Sequence, residues 1–139
     1  MKPTDTNEVF KKTSNNFFSI IPFILAMILL VSLITLIPKE FYIKLFPGTI
    51  FDPLIGALIG GISAGTPITS YIVGGELLNQ GVSLVAITAF LLSWVTVGII
   101  QFPAEASILG KKFAIYRNLT SFILAIIVAI ATGAIYNAF

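Results

Sequence analysis

A chain of 139 residues with 57% hydrophobic and only 10% charged side chains carries more apolar surface than a water-soluble core of its size can hide. Its formal net charge of +2 is too small to point to nucleic acid, and the absence of Cys and His excludes disulfides, thiolate metal sites and histidine acid–base chemistry. These numbers indicate an all-α integral membrane protein whose solvent, over most of its surface, is lipid.

Residues 1–16, MKPTDTNEVFKKTSNN, are polar and mixed in charge, and read as an aqueous N-terminal tail; residues 17–139 form a single membrane domain. Phe17–Ile37 holds 21 residues without a charge. At 1.5 Å per residue that length crosses a hydrocarbon core of about 30 Å. A secretory signal has an apolar region of only about 7–15 residues and a small-residue cleavage site, so a retained span is expected here. Pro38–Pro53 mixes aromatics with charges, as interfacial loops do. Two further full spans are expected at Leu84–Ile100 and Leu119–Tyr136, separated by QFPAEASILGKKFAIYRN.

Between the first two spans lies Leu54–Asn79, which is too glycine-rich for an ordinary crossing. Its first part, about 54–65, has GxxxG spacing at Gly56/Gly60 and Gly61/Gly65, a helix-packing signal. Its second part, about 67–79, opens on Pro67, a residue suited to the first turn of a new helix. Each half reaches only about 20 Å as a helix, so the pair is either one broken span or a re-entrant hairpin. Charge placement favours the hairpin. It puts Lys2, Lys11, Lys12, Lys111, Lys112 and Arg117 on one side against Lys39 and Lys44 on the other, whereas a broken span gives three against five. Cytoplasmic loops are enriched in Lys and Arg, which places the N-terminus in the cytoplasm of a prokaryotic-type cell membrane.

A helix break at membrane depth leaves backbone groups without partners and persists only when buried in protein or lining a wet cavity. Gly65, Thr66, Pro67, Thr69 and Ser70 are therefore the candidate pathway residues: a helix start offers N–H groups to an anion, and three hydroxyls stand beside it. Gly56, Gly60 and Gly61 are assigned to close helix packing, and Trp94, in mid-span, to packing against the broken element. Asp52 before Pro53 is expected to cap the first short helix. Glu76 falls near the outer surface. Glu105 follows Pro103, in the first turn of a helix, with Lys111, Lys112 or Arg117 as ion-pair candidates; with Gln101 it forms an alternative pore-mouth pair. No nucleophile–base pair and no nucleotide or metal motif is present, so neither enzyme activity nor a cofactor is expected.

The elements TPITSY and GVSLVAITAFLLSW resemble the predicted permease family that includes the organoarsenical efflux permeases. Thr66, Pro67 and Ser70 match its Thr-Pro-x-Cys-Ser-Cys-like element, Gly81, Val82 and Leu84 its turn, and Phe90 and Leu91 the helix after it. The resemblance covers roughly Leu54–Tyr136 and implies membrane transport. The family's cysteines fall on Thr69 and Tyr71, so thiol coordination of a metalloid cannot occur through them, while a hydroxyl- and amide-lined path for a small polar or anionic solute remains open. Typical members hold two such halves, which implies that this chain is a half-size subunit. It would work as a homodimer or higher oligomer, or with a second half-size subunit. The competing expectation is a non-transporting scaffold or accessory subunit.

Overall fold

The computed structural model describes residues 6–63, 65–99 and 101–138, and among these residues all regular structure is helical. The helices are α1 (Thr6–Leu36), α2 (Lys39–Leu45), α3 (Asp52–Ile62), α4 (Pro67–Asn79), α5 (Leu84–Thr96), α6 (Phe102–Ile108) and α7 (Lys111–Ala138). Two of them, α1 and α7, are long and apolar enough to cross a membrane. At 28 residues α7 is about 42 Å long. Both carry their apolar side chains outward: Phe17, Phe18, Leu25 and Leu29 on α1 and Leu124 and Ile127 on α7 are exposed. In water such a surface would not persist, because burial of apolar area is the main force holding a fold together.

Three boundaries differ from those expected of the sequence. Residues 1–5 of the expected aqueous tail lie outside the described residues, and from Thr6 onward the chain is already in α1. The segment expected as a loop after the first span contains α2, whose Tyr42 is buried, as is Phe46 just after its end, while its charged residues face out. The expected span at 84–100 is helical only over thirteen residues, Leu84–Thr96. Its reach is therefore about 20 Å, short of the hydrocarbon core. The helix stops because Val97 leaves helical geometry and is buried against Gly61, and a bond from the Phe102 amide to the Gly98 carbonyl turns the chain towards α6.

Contacts fix the directions of the elements. Gly56 meets Ala86, Gly60 meets Phe90 and Gly61 meets Val97, so α3 and α5 run parallel. Gly65 lies on Trp94 and Gly74 on Ile87 and Leu91, so α4 runs antiparallel to α5. Val85 meets Gly133 while Thr96 shares a groove with Ser121, so α7 is also antiparallel to α5. The starts of α3 and α5 and the end of α4 thus share one end of the bundle with α2. The break between α3 and α4 points to the other end, with α6. Opposed glycine and alanine faces bring the helices together: Ala57, Ala89 and Ala129 form one completely buried cluster of α3, α5 and α7. Small residues suit this role because they let helix backbones approach where lipid supplies no hydrophobic drive.

Tyr42 pins α2 to the first helix by donating its hydroxyl to the Ile34 carbonyl at 2.8 Å. Burial, and secondarily the Glu76 carboxylate, push this phenol above its ordinary 10.0. Its neutral form is favoured in the fold, so its contribution is complete below pH 10 and is lost as pH rises through the folded value. Tyr42→Phe should cost about 1 kcal/mol at neutral pH. Thermal melts in detergent check this, and the difference between variant and parent should shrink in strong alkali.

Candidate pathway at the helix break

The start of α4 is assembled from its own sequence. Thr66 is the N-cap: its hydroxyl accepts from the Thr69 amide at 3.4 Å and lies 3.0 Å from the Thr69 hydroxyl. Pro67 occupies the first helical position, where no amide is needed. Ser70, completely buried, donates to the Pro67 carbonyl at 2.8 Å. Opposite the break, the Trp94 indole N–H donates to the Gly65 carbonyl at 3.4 Å, and its ring meets Phe90 edge-on at 5.2 Å. Among the described residues no buried side-chain nitrogen or oxygen is left without a partner. Thr66→Val should cost about 1 kcal/mol by removing the cap, read as a lowered melting point.

The sequence-selected residues divide into two groups here. Gly65, Thr66, Pro67, Thr69 and Ser70 converge at the break, with Gly65, Thr66 and Pro67 exposed and Thr69 and Ser70 turned into the bundle. Gly56 and Gly60 lie against the backbone of α5, and Gly61 against Ser93 and Val97. Gly61 and Gly65 do not share a helix face, since α3 ends at Ile62 and Gly65 lies outside any helix, before α4 starts at Pro67. Trp94 sits in the last turn of α5 rather than in mid-span, and this position lets it reach Gly65.

Gln101 and Glu105 lie at the same end of the bundle but are occupied differently. Gln101 is exposed at the start of α6, with its side chain folded over Gly98. Glu105 is ion-paired with Arg117 and accepts from the Asn118 amide at 3.2 Å, so it joins α6 to α7. Glu105→Gln should lower stability by less than about 1 kcal/mol, as for other partly exposed ion pairs. A melt measures that loss.

The depth of the break follows from its neighbours. Trp94 lies between Leu92 and Thr96, which share a groove with Ser121 and Leu124, in the first turns of the apolar run of α7. On the other flank, Ile68 lines an apolar groove with Ile20, Phe23 and Ile24 of α1. The exposed backbone at Gly65–Pro67 is therefore level with apolar helix surface on both sides.

A second polar centre was not legible as such. Asp52 is 2% exposed and, contrary to expectation, does not cap α3: it is the first residue inside that helix, the N-cap is Phe51, and its carboxylate turns back to the preceding turn and across to Ser83. It accepts from the Gly48 and Thr49 amides, each at 3.1 Å, from the Thr49 hydroxyl at 3.3 Å and from the Ser83 hydroxyl at 3.5 Å. Ser83 in turn caps α5 by accepting from the Ala86 amide at 3.3 Å. The carboxylate thus sits where two parallel helices start, and their positive dipole ends favour it. A cavity of about 360 Å³ opens beside it, lined by Thr49, Asp52, Ser83, Val85 and Ile130 among others. The sequence signal was present in Ser83 before an apolar run, a helix-start pattern; its pairing with Asp52 across 31 positions was not.

No family model, curated protein or solved structure matches the chain.

Proposed function

We propose that the chain is a half-size permease subunit of a prokaryotic-type cell membrane, with a cytoplasmic N-terminus and α3 and α4 forming a re-entrant hairpin. It moves a small polar or anionic solute past the break at Gly65–Ser70 and works as a homodimer or higher oligomer, or with a second half-size subunit. The observation that carries this reading is the exposed, non-helical backbone at Gly65–Thr66, level with the apolar surfaces of α1 and α7. Lipid does not tolerate such backbone, so water in a pathway or another protomer must cover it. Transporters use discontinuous helices of this kind as solute sites. The resemblance to the organoarsenical permease family through Thr66, Pro67 and Ser70 points the same way.

A second reading is favoured by one specific observation. The hydroxyls of Thr66, Thr69 and Ser70 already have partners within their own helix turn, as a purely structural helix start requires. On that reading the chain is a membrane scaffold or accessory subunit. Proteoliposome flux separates the two, with glycerol as a polar probe and nitrate as an anionic one. The permease reading expects flux that falls at least about tenfold in Thr66→Val with Thr69→Val, since two hydroxyl contacts of about 1 kcal/mol each are lost. Flux that survives these changes together with Ser70→Ala removes the break as its path. No flux above empty vesicles with either probe favours the scaffold.

A further inference from the structure

The bundle offers lipid two sides of unequal apolar length. On one side, Phe17–Ile37 and Leu119–Tyr136, carried by α1 and α7, are free of charge over 21 and 18 residues, about 31 and 27 Å as helix. Each comes close to a hydrocarbon core of about 30 Å. On the other side, α3, α4 and α5 hold 11, 13 and 13 residues, about 16–20 Å. Leu54, Leu58 and Ile62 on α3 and Ile68, Tyr71 and Leu78 on α4 face outward there. Polar groups close α4 at both ends. Gly65 and Thr66 stand with non-helical backbone at one; at the other are Asn79 and Glu76, which accepts from Gln80 at 2.8 Å. The two sides are in register, because Val85 meets Gly133 and Thr96 shares a groove with Ser121. Only about 18 Å of the apolar run of α7, residues 121–133, therefore lies beside α5, and the run continues past it at both ends.

A helix shorter than the hydrocarbon layer is accommodated by flanking side chains that reach out to water, by assembly, or by a thinner bilayer. Reaching out needs long cationic side chains, and no Lys or Arg occurs between Lys44 and Lys111, so α3, α4 and α5 carry none. A second copy docked on this side would bring helices of the same length and leave the break as deep. Trp94 stands at the break, and an indole favours the headgroup boundary. We propose that the α3–α5 side fits a hydrocarbon layer of about 20 Å, so that the bilayer thins beside it and lipids of short acyl chain border it preferentially. Thinning brings interfacial water to the exposed backbone at Gly65–Thr66, which lipid alone does not tolerate. It rests on the hairpin reading of α3 and α4 and is independent of transport.

The test reads lipid contact on each side separately, in the full chain, which has no cysteine of its own. A dye is placed on Tyr71→Cys in α4 or on Ile127→Cys in α7, positions 63% and 55% exposed. Vesicles contain a nitroxide-labelled 18-carbon phosphatidylcholine as quencher, and unlabelled phosphatidylcholines of 14 or 22 carbons compete with it for the contact. The 14-carbon lipid should relieve quenching roughly threefold better than the 22-carbon lipid at position 71, and no better at 127. Glu76→Leu with Asn79→Leu lengthens the apolar face of α4 and should reduce the advantage at 71. Equal preferences at 71 and 127 would overturn the proposal, as would an advantage at 71 that the longer face leaves unchanged. A dye at 71 that the nitroxide lipid does not quench would overturn it too, since another protomer would then cover α4; the flux assay would still decide the permease reading by itself.

Discussion

Gly60→Val should prevent the bundle from forming, and Gly60→Ala should lower its melting point steeply. A Cβ at Gly60 would stand 2.2 Å from the Phe90 carbonyl oxygen, and one at Gly56 would stand 2.3 Å from that of Ala86. These obstacles are backbone, so no side chain can swing aside; α3 and α5 must separate. Separation would weaken the whole parallel contact, including the buried bond from the Ser93 hydroxyl to the Ala57 carbonyl at 2.6 Å. Overpacking costs about 1–3 kcal/mol even where neighbours can adjust, so the alanine variant belongs at the upper end of that range or beyond it. Gly133→Ala should cost less, because the atom in its way, 2.3 Å from the added Cβ, is a methyl group of Val85. Gly75 is the control: it is helical with nothing within 4 Å, so Gly75→Ala should be neutral or stabilising by up to about 1 kcal/mol. Circular dichroism melts in detergent rank the four.

Asp52→Ala should also be damaging, for a different reason. It removes one buried acceptor group and leaves the Gly48 and Thr49 amides and the Thr49 and Ser83 hydroxyls without it. Gly48 and Thr49 are exposed and Ser83 is half-buried, so water can replace the carboxylate for part of this set, and a loss of about 1–3 kcal/mol is expected. Asp52→Asn should cost less, since its amide oxygen still accepts. Ser83→Ala should cost about 1 kcal/mol through the cap of α5. The double variant Asp52→Ala with Ser83→Ala should be milder than the sum of the singles, because the first change has already broken the shared bond. A double-mutant cycle on melting data gives this coupling directly.

The long helices were legible because uninterrupted apolar length is a one-dimensional property, and so was the start of α4, where Pro67 and Thr66 act on their own backbone. Asp52 was placed at a helix start, but its bond to Ser83 was hidden because it depends on two helices being parallel. That arrangement arises only after α4 has carried the chain back. Leu84–Ile100 reads as one apolar run, yet its helix ends at Thr96, since hydropathy does not register the turn that Gly98 and Phe102 make. Gly56 and Gly60 showed a packing stripe without showing its partner. Pro38–Pro53 hid α2 because seven residues mixing aromatics and charges are too short for a helical period to stand out.

The most direct measurement on the hairpin is sidedness. Single cysteines at Ile50, Asn79 and Ser107, all exposed, can be labelled with a membrane-impermeant reagent in sealed vesicles of known orientation. The direction of α4 back along α5 requires 50 and 79 to react from one side and 107 from the other. Reaction of 50 and 79 from opposite sides would contradict it, and α3 and α4 would then form one broken span with the break in its middle.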